Sequence, residues 1–150
     1  MHLRGFRYRF YPTTQQETLL RRTIGCVRLV YNKALAERSA AWTSGKKSIG
    51  YAAQSAALAV WKRPPELVFL TEVSSVPLQQ GLRHLQGAYV NFFTKRAAYP
   101  RFKCKSNGGS AEYTRSAFRL IGNSLILAKM DVPLNIRWSR ALPDSAEPST

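Results

Sequence analysis

Residues 3–11 (LRGFRYRFY) alternate in side-chain character, with Phe6, Tyr8 and Phe10 on one face and Gly5, Arg7 and Arg9 on the other. A period of two predicts a half-buried strand with an aromatic inner face and a basic outer one. Tyr11-Pro12 ends it, and Thr14-Gln-Gln-Glu17 then offers a capping box, in which Thr14 and Glu17 satisfy each other's free backbone donors. From there the period lengthens. Leu20, Ile24, Val27, Tyr31 and Leu35 recur at spacings of four, three, four and four, which predicts a helix over about 14–41. Gly25 costs about 1 kcal/mol relative to Ala inside a helix and could mark the turn of a helix-turn-helix. The apolar stripe crosses it without a phase slip, so an unbroken helix is expected. Arg21, Arg22, Arg28, Lys33 and Arg38 are left for its other faces.

After a basic loop at 43–48, an alanine-rich stretch predicts a short helix over about 50–61, stopped by Pro64-Pro65. A third helix is expected over about 77–95, with Pro77 at its first position behind Ser74 or Ser75. Its stripe is Leu78, Leu82, Leu85, Tyr89 and Phe92. Beyond residue 97 the chain turns extended and basic, and Asn107-Gly-Gly-Ser110 reads as a flexible turn. Strands are expected near 113–120, at 124–128 after a Gly122-Asn123 hairpin turn, and at 134–139. This is an α+β pattern. The simplest closure pairs the first strand with the late ones and leaves the helices as an insertion. The chain then divides into 1–12, the first strand; 13–96, a three-helix lobe; 97–140, the basic loop and remaining strands; and 141–150, a connector.

Charge sharpens the picture. Of 150 residues, 23 are Lys or Arg and 8 are Asp or Glu, a formal +15. Residues 1–140 hold all 23 cations against six of the acids, or +17, because the last ten residues carry only Asp144 and Glu147. Such self-repulsion favours a polyanionic partner, and nucleic acid is the expected one. No apolar run is long enough to span a membrane, and Arg4, Arg7 and Arg9 interrupt any signal-peptide core. A cytoplasmic, nucleoid-associated protein is expected, with Cys26 and Cys104 as reduced thiols.

No catalytic constellation is visible. The eight acids form no close carboxylate group of the kind that two-metal phosphodiester chemistry needs, and His2 and His84 have no metal-ligand spacing with the cysteines. Binding chemistry is richer. Arg7, Arg9, Arg96, Arg101, Lys103 and Lys105 suit phosphate contacts. Tyr99 and Phe102, interleaved with those cations, are candidates for stacking bases, although Phe102 equally suits a plug in the core.

Five segments, in order, carry a resemblance: the strand ending at Tyr11-Pro12 with Gln15-Gln16; Arg28-Leu-Val-Tyr31-Asn32; Leu78-Gln79 with Leu82; Ala88-Tyr89-Val-Asn91-Phe92-Phe93; and Pro100-Arg101-Phe102-Lys103. Together they resemble the N-terminal region of the TnpB/OrfB-type transposase family, the transposon-encoded RNA-guided DNA endonucleases. The resemblance implies a small wedge-like β-barrel, formed by the N-terminal strand and the late strands and interrupted by a three-helix recognition lobe. It implies guide-type RNA and double-stranded DNA as partners, with no membrane and no small-molecule substrate. By matching position, Tyr51, Ser55, Ser75, Val76 and Gln79 would face a short DNA motif beside the target, and Gln79 suits an adenine edge. The family's three metal-binding acids and four-cysteine zinc module lie downstream of the matched region. No cofactor, metal or activity is therefore expected from these 150 residues alone. The alternatives are an RNA-independent helix-turn-helix DNA-binding accessory or repressor, and an inactive remnant of a transposon gene.

Overall fold

The computed structural model describes residues 5–142. The chain runs β1 (Arg9–Tyr11), α1 (Thr14–Gly45), α2 (Tyr51–Trp61), a 3-10 helix (Pro65–Glu72), α3 (Ser75–Phe93), β2 (Phe118–Ile121), β3 (Ser124–Leu127) and β4 (Asn135–Arg137). The described residues form an α+β fold whose four longer helices, the 3-10 helix among them, stand beside two small two-stranded sheets.

The helix α1 is continuous through Gly25 and leaves no turn there. Its capping box lies one residue earlier than the sequence pattern suggested. Thr13 Oγ1 accepts from the Gln16 N–H at 3.2 Å, and Gln16 Oε1 accepts from the Thr13 N–H at 2.9 Å. A tertiary contact chooses that register: Gln16 Nε2 also donates to the carbonyls of Val132 and Pro133, both at 3.1 Å. Glu17 is thereby freed to pair with Arg21 at 2.7 Å. The helix also outlasts its expected end at 41, because no breaker comes before Gly45. Lys46, at φ 51°, then closes it in the left-handed region. In α3, Ser74 is the N-cap, so Pro77 is the third helical residue and not the first.

One core fills the space among the helices. Val27, Val30, Tyr31, Ala34 and Leu35 of α1 meet Leu58 and Trp61 of α2, and Leu78, Leu82, Leu85 and Tyr89 of α3. Gly81 lets α1 and α3 come close, since a Cβ there would stand 3.3 Å from Val27 Cγ1. A second cluster (Tyr113, Ala117, Phe118, Leu125, Leu127 and Leu134) lies under the strands, and Ala111 touches both.

The first strand does pair with a late one: β1 runs antiparallel to β4, with Phe10 opposite Ile136. The hairpin β2–β3 also forms, and Gly122, at φ 59°, supplies the positive φ of its turn. The expected barrel, however, is open. β1–β4 and β2–β3 are separate sheets of three- and four-residue strands, too short to carry a ladder around a closed ring. They approach where the Leu134 N–H donates to the Leu125 carbonyl at 2.8 Å and Trp138 Nε1 donates to the Asn123 carbonyl at 3.1 Å. Elsewhere an apolar cleft of about 660 Å³ separates them, with Phe6, Tyr8 and Phe10 on one side and Leu120, Leu125 and Leu127 on another. The strand expected from 113 begins only at 118, because Arg115–Ala117 form a 3-10 turn. The strand expected from residue 3 forms only at Arg9–Tyr11, where the β4 register supplies partners, and residues 5–8 are irregular. The expected connector from 143 onward and the first four residues lie outside the described residues.

Candidate nucleic-acid interface

Tyr51 and Ser55 stand one turn apart on α2, while Ser75, Gln79 and Arg83 succeed one another at one-turn spacing on α3. Ser55 Oγ donates to Gln79 Oε1 at 2.7 Å, and Gln79 Nε2 reaches the Ser55 carbonyl at 3.4 Å. The Arg83 guanidinium lies 4.8 Å from the centre of the Tyr51 ring. These two contacts run in opposite order along the helices, so α2 and α3 are antiparallel along a seam. Tyr51, Ser55 and Gln79 are brought together there. Ser75 is exposed one turn before Gln79 and hydrogen-bonds to none of the three. A two-point contact to an adenine edge needs both ends of the Gln79 amide, so it requires Ser55 to release the oxygen.

An internal strut holds this seam. Arg38, left among the outer cations by its sequence position, instead points inward from α1. Its Nε donates to Gln54 Oε1 at 2.8 Å, its Nη2 to Gln86 Oε1 at 2.9 Å, and its guanidinium stacks 4.8 Å from the Tyr89 ring centre. Gln54, fully buried beside Ser55, also donates to the Ala34 carbonyl at 2.9 Å. Burial pulls the Arg38 pKa down, while Tyr89, Glu37 and Tyr99 nearby favour its charge. Three helices are thus tied together under the surface that carries Ser55, Gln79 and Arg83.

The basic stretch after α3 is fixed at two points. Tyr99 is not a free platform: its hydroxyl bonds to Ser39 Oγ and to the Tyr89 hydroxyl, each at 2.9 Å, and its ring meets Tyr89 and Phe92 edge-on. Four residues on, Asn32 grips the backbone as a strand partner would. Its Oδ1 accepts from the Lys103 N–H and its Nδ2 donates to the Lys103 carbonyl, both at 2.8 Å. Lys103 Nζ lies 4.7 Å over the Tyr31 ring. The segments Arg28–Asn32 and Pro100–Lys103, distant in sequence, therefore meet in space. Phe102 is 60% exposed and does not plug the core.

On β1, Arg9 sits directly opposite Arg137 of β4, and Arg7 is exposed two residues earlier. Like charges facing each other across strands repel, and a phosphate between them would remove that cost. Arg137 was not among the expected contacts. Its signal was the alternation of Ile136-Arg137-Trp138, but only register places it beside Arg9. Among the described residues, none of Arg7, Arg9, Arg96, Arg101, Lys103 and Lys105 forms an ion pair with an acid. No three His, Cys, Asp or Glu side chains among those residues group to hold a metal, and no described helix is long and apolar enough to cross a membrane.

Residues 1–47 match a family model described as a helix-turn-helix domain, of the OrfB type. In this chain that stretch contains β1 and the single unbroken helix α1. A protein of Streptomyces pristinaespiralis, provisionally named an RNA-guided DNA endonuclease, is 60% identical over 148 residues, which are 98% of this chain and 37% of that protein. Escherichia coli K12 has a relative provisionally named RNA-guided DNA endonuclease InsQ, 40% identical over 111 residues, or 74% of this chain and 28% of the relative. The matched stretches therefore span 37% and 28% of the length of these relatives.

Proposed function

We propose, from the premise that this chain belongs to the TnpB/OrfB-type family of RNA-guided DNA endonucleases and corresponds to their N-terminal part, that it grips a guide-type RNA and reads a short motif in double-stranded DNA beside the target. The observation that carries the reading is the seam between α2 and α3. It gathers Tyr51, Ser55, Gln79 and Arg83 on a surface braced from below by Arg38, so an amide and a guanidinium stand one turn apart on α3 with a hydroxyl of α2 beside the amide. That set offers hydrogen bonds to base edges and charge to the flanking phosphates. Among the described residues, the cations of β1, β4 and the 96–105 stretch have no acidic partners, and they suit a sugar–phosphate backbone. Binding is what this reading assigns to these residues; cleavage is not.

The test is to express residues 1–150 in the native host, wash at moderate salt and sequence the RNA that remains bound. Enrichment of one structured transcript supports the reading, and so does DNA-motif binding that depends on that RNA. Random RNA that washes away as salt rises refutes it. A second reading, a DNA-binding module that works without RNA, draws on the helix-turn-helix description of residues 1–47. The continuity of α1 through Gly25 weighs against it. Nuclease-treated, RNA-free protein that protects a defined DNA site would establish this alternative.

A further inference from the structure

Beside α1, residues 102–110 fold back to enclose a cleft of about 420 Å³. Its floor is apolar, made of Ile24 and Val27 of α1, and its open side carries the exposed ring of Phe102. Asn107, Gly108, Gly109 and Ser110 form the rim. Arg28 enters from α1 with its guanidinium between Gly25 and Gly109: a Cβ on Gly25 would lie 3.9 Å from Nη2, and one on Gly109 4.0 Å from Nη1. Arg28 is half-buried and makes no hydrogen bond or ion pair with any described residue, and no carboxylate lines the cleft.

An unpaired guanidinium, an exposed ring, an apolar floor and a polar rim form a coherent set. We propose that this cleft seats one unpaired RNA nucleotide, with its base against Phe102 and its phosphate on Arg28. The volume lies in the range of small-ligand sites, roughly 300–1,000 Å³. A duplex keeps its bases stacked inside and cannot enter a cleft of about 420 Å³, whereas a looped or bulged nucleotide can. Asn107 and Ser110 supply both a donor and an acceptor at the rim, which a 2′-hydroxyl uses and deoxyribose lacks. Backbone geometry holds the rim in place. The Asn32–Lys103 pair pins one end, and Gly109 packs so closely on α1 that any larger residue would meet Ile24 Cγ2 at 2.5 Å. The proposal rests on the RNA-gripping reading and adds a location, a strandedness and two residues to it.

The test titrates the full chain with a fluorescent single-stranded RNA oligonucleotide, the same RNA as a blunt duplex, and single-stranded DNA of the same sequence. Phe102→Leu and Arg28→Gln are compared with the unaltered chain, with thermal unfolding measured for each. Phe102→Leu removes an exposed ring, so its unfolding transition should be unchanged. Its affinity for single-stranded RNA should fall about tenfold, in the range of one lost base–aromatic stack, with a change below twofold for the duplex. Phe102→Trp should restore binding. Photocrosslinking with 4-thiouridine RNA should map to Phe102. Equal losses on duplex and single strand, no loss at all, or equal affinity for the DNA strand would overturn the proposal while leaving RNA binding intact. Failure of the unaltered chain to bind any of the RNAs would overturn both the proposal and the reading beneath it.

Discussion

Gln54→Leu should destabilise the helical lobe by about 2 kcal/mol, because it takes away one of the acceptors that let Arg38 stay buried. Gln54 is fully buried and accepts from Arg38 Nε at 2.8 Å. Hydrogen bonds to charged groups contribute about 1.5–3 kcal/mol, and removing a charge's sole partner costs about 3–5 kcal/mol. The lower range applies here, since Gln86 Oε1 and the Tyr89 ring remain on the guanidinium. For a chain of this size, about 2 kcal/mol corresponds to a fall of about 6 °C in Tm. The assay is urea unfolding followed by far-ultraviolet circular dichroism, with Arg38→Met and the double variant completing a cycle. If the strut is one coupled unit, the double variant loses much less than the sum of the single losses, because neither buried partner is then left unmatched. Strict additivity, or a single loss below about 0.5 kcal/mol, would refute the reasoning.

Gly109→Ala should lower stability by about 1–3 kcal/mol, the usual cost of overpacking, as its methyl group meets Ile24 Cγ2 at 2.5 Å; thermal unfolding of Gly109→Ala alone and with Ile24→Ala should show the second change recovering part of the loss. Burial raises the phenol pKa of Tyr31, Tyr113 and Tyr89, the last to about 12 with help from the Tyr99 hydroxyl. These phenols hold their protons more tightly when folded, so their contribution is complete below about pH 10, the unfolded value, and is lost as pH climbs through the folded pKa values. Urea midpoints should fall over that window, and phenolate absorbance should show three of the seven tyrosines lagging. Cys104 is exposed, whereas Cys26 is buried with its thiol pKa raised by that burial and by Glu72; a thiol reagent should label one site at once and the second only at the rate of unfolding.

The periodicity of the chain determined most of its elements. Spacings of three and four residues do not depend on distant contacts, so α1, α2 and α3 were readable to within a few residues, and the Gly122-Asn123 turn announced its hairpin. The two-residue alternation of 3–11 and 134–139 announced more strand than forms: only Arg9–Tyr11 and Asn135–Arg137 pair. Register was beyond reach of the pattern. Whether Thr13 or Thr14 caps α1 depends on Gln16 finding the Val132 and Pro133 carbonyls 116 and 117 positions away. Whether the strands close a ring depends on how many ladder bonds each can make, which alternation does not encode. The site divides the same way. Charge alone pointed to nucleic acid, and Phe102 was visible as an aromatic among cations. Arg28 and Arg38, however, sit on the same helix and look alike in sequence, yet one lines an open cleft and the other is buried against two glutamines. Only packing separates them, because a long cationic side chain takes its role from the neighbours its helix face meets, and those neighbours come from elsewhere in the chain.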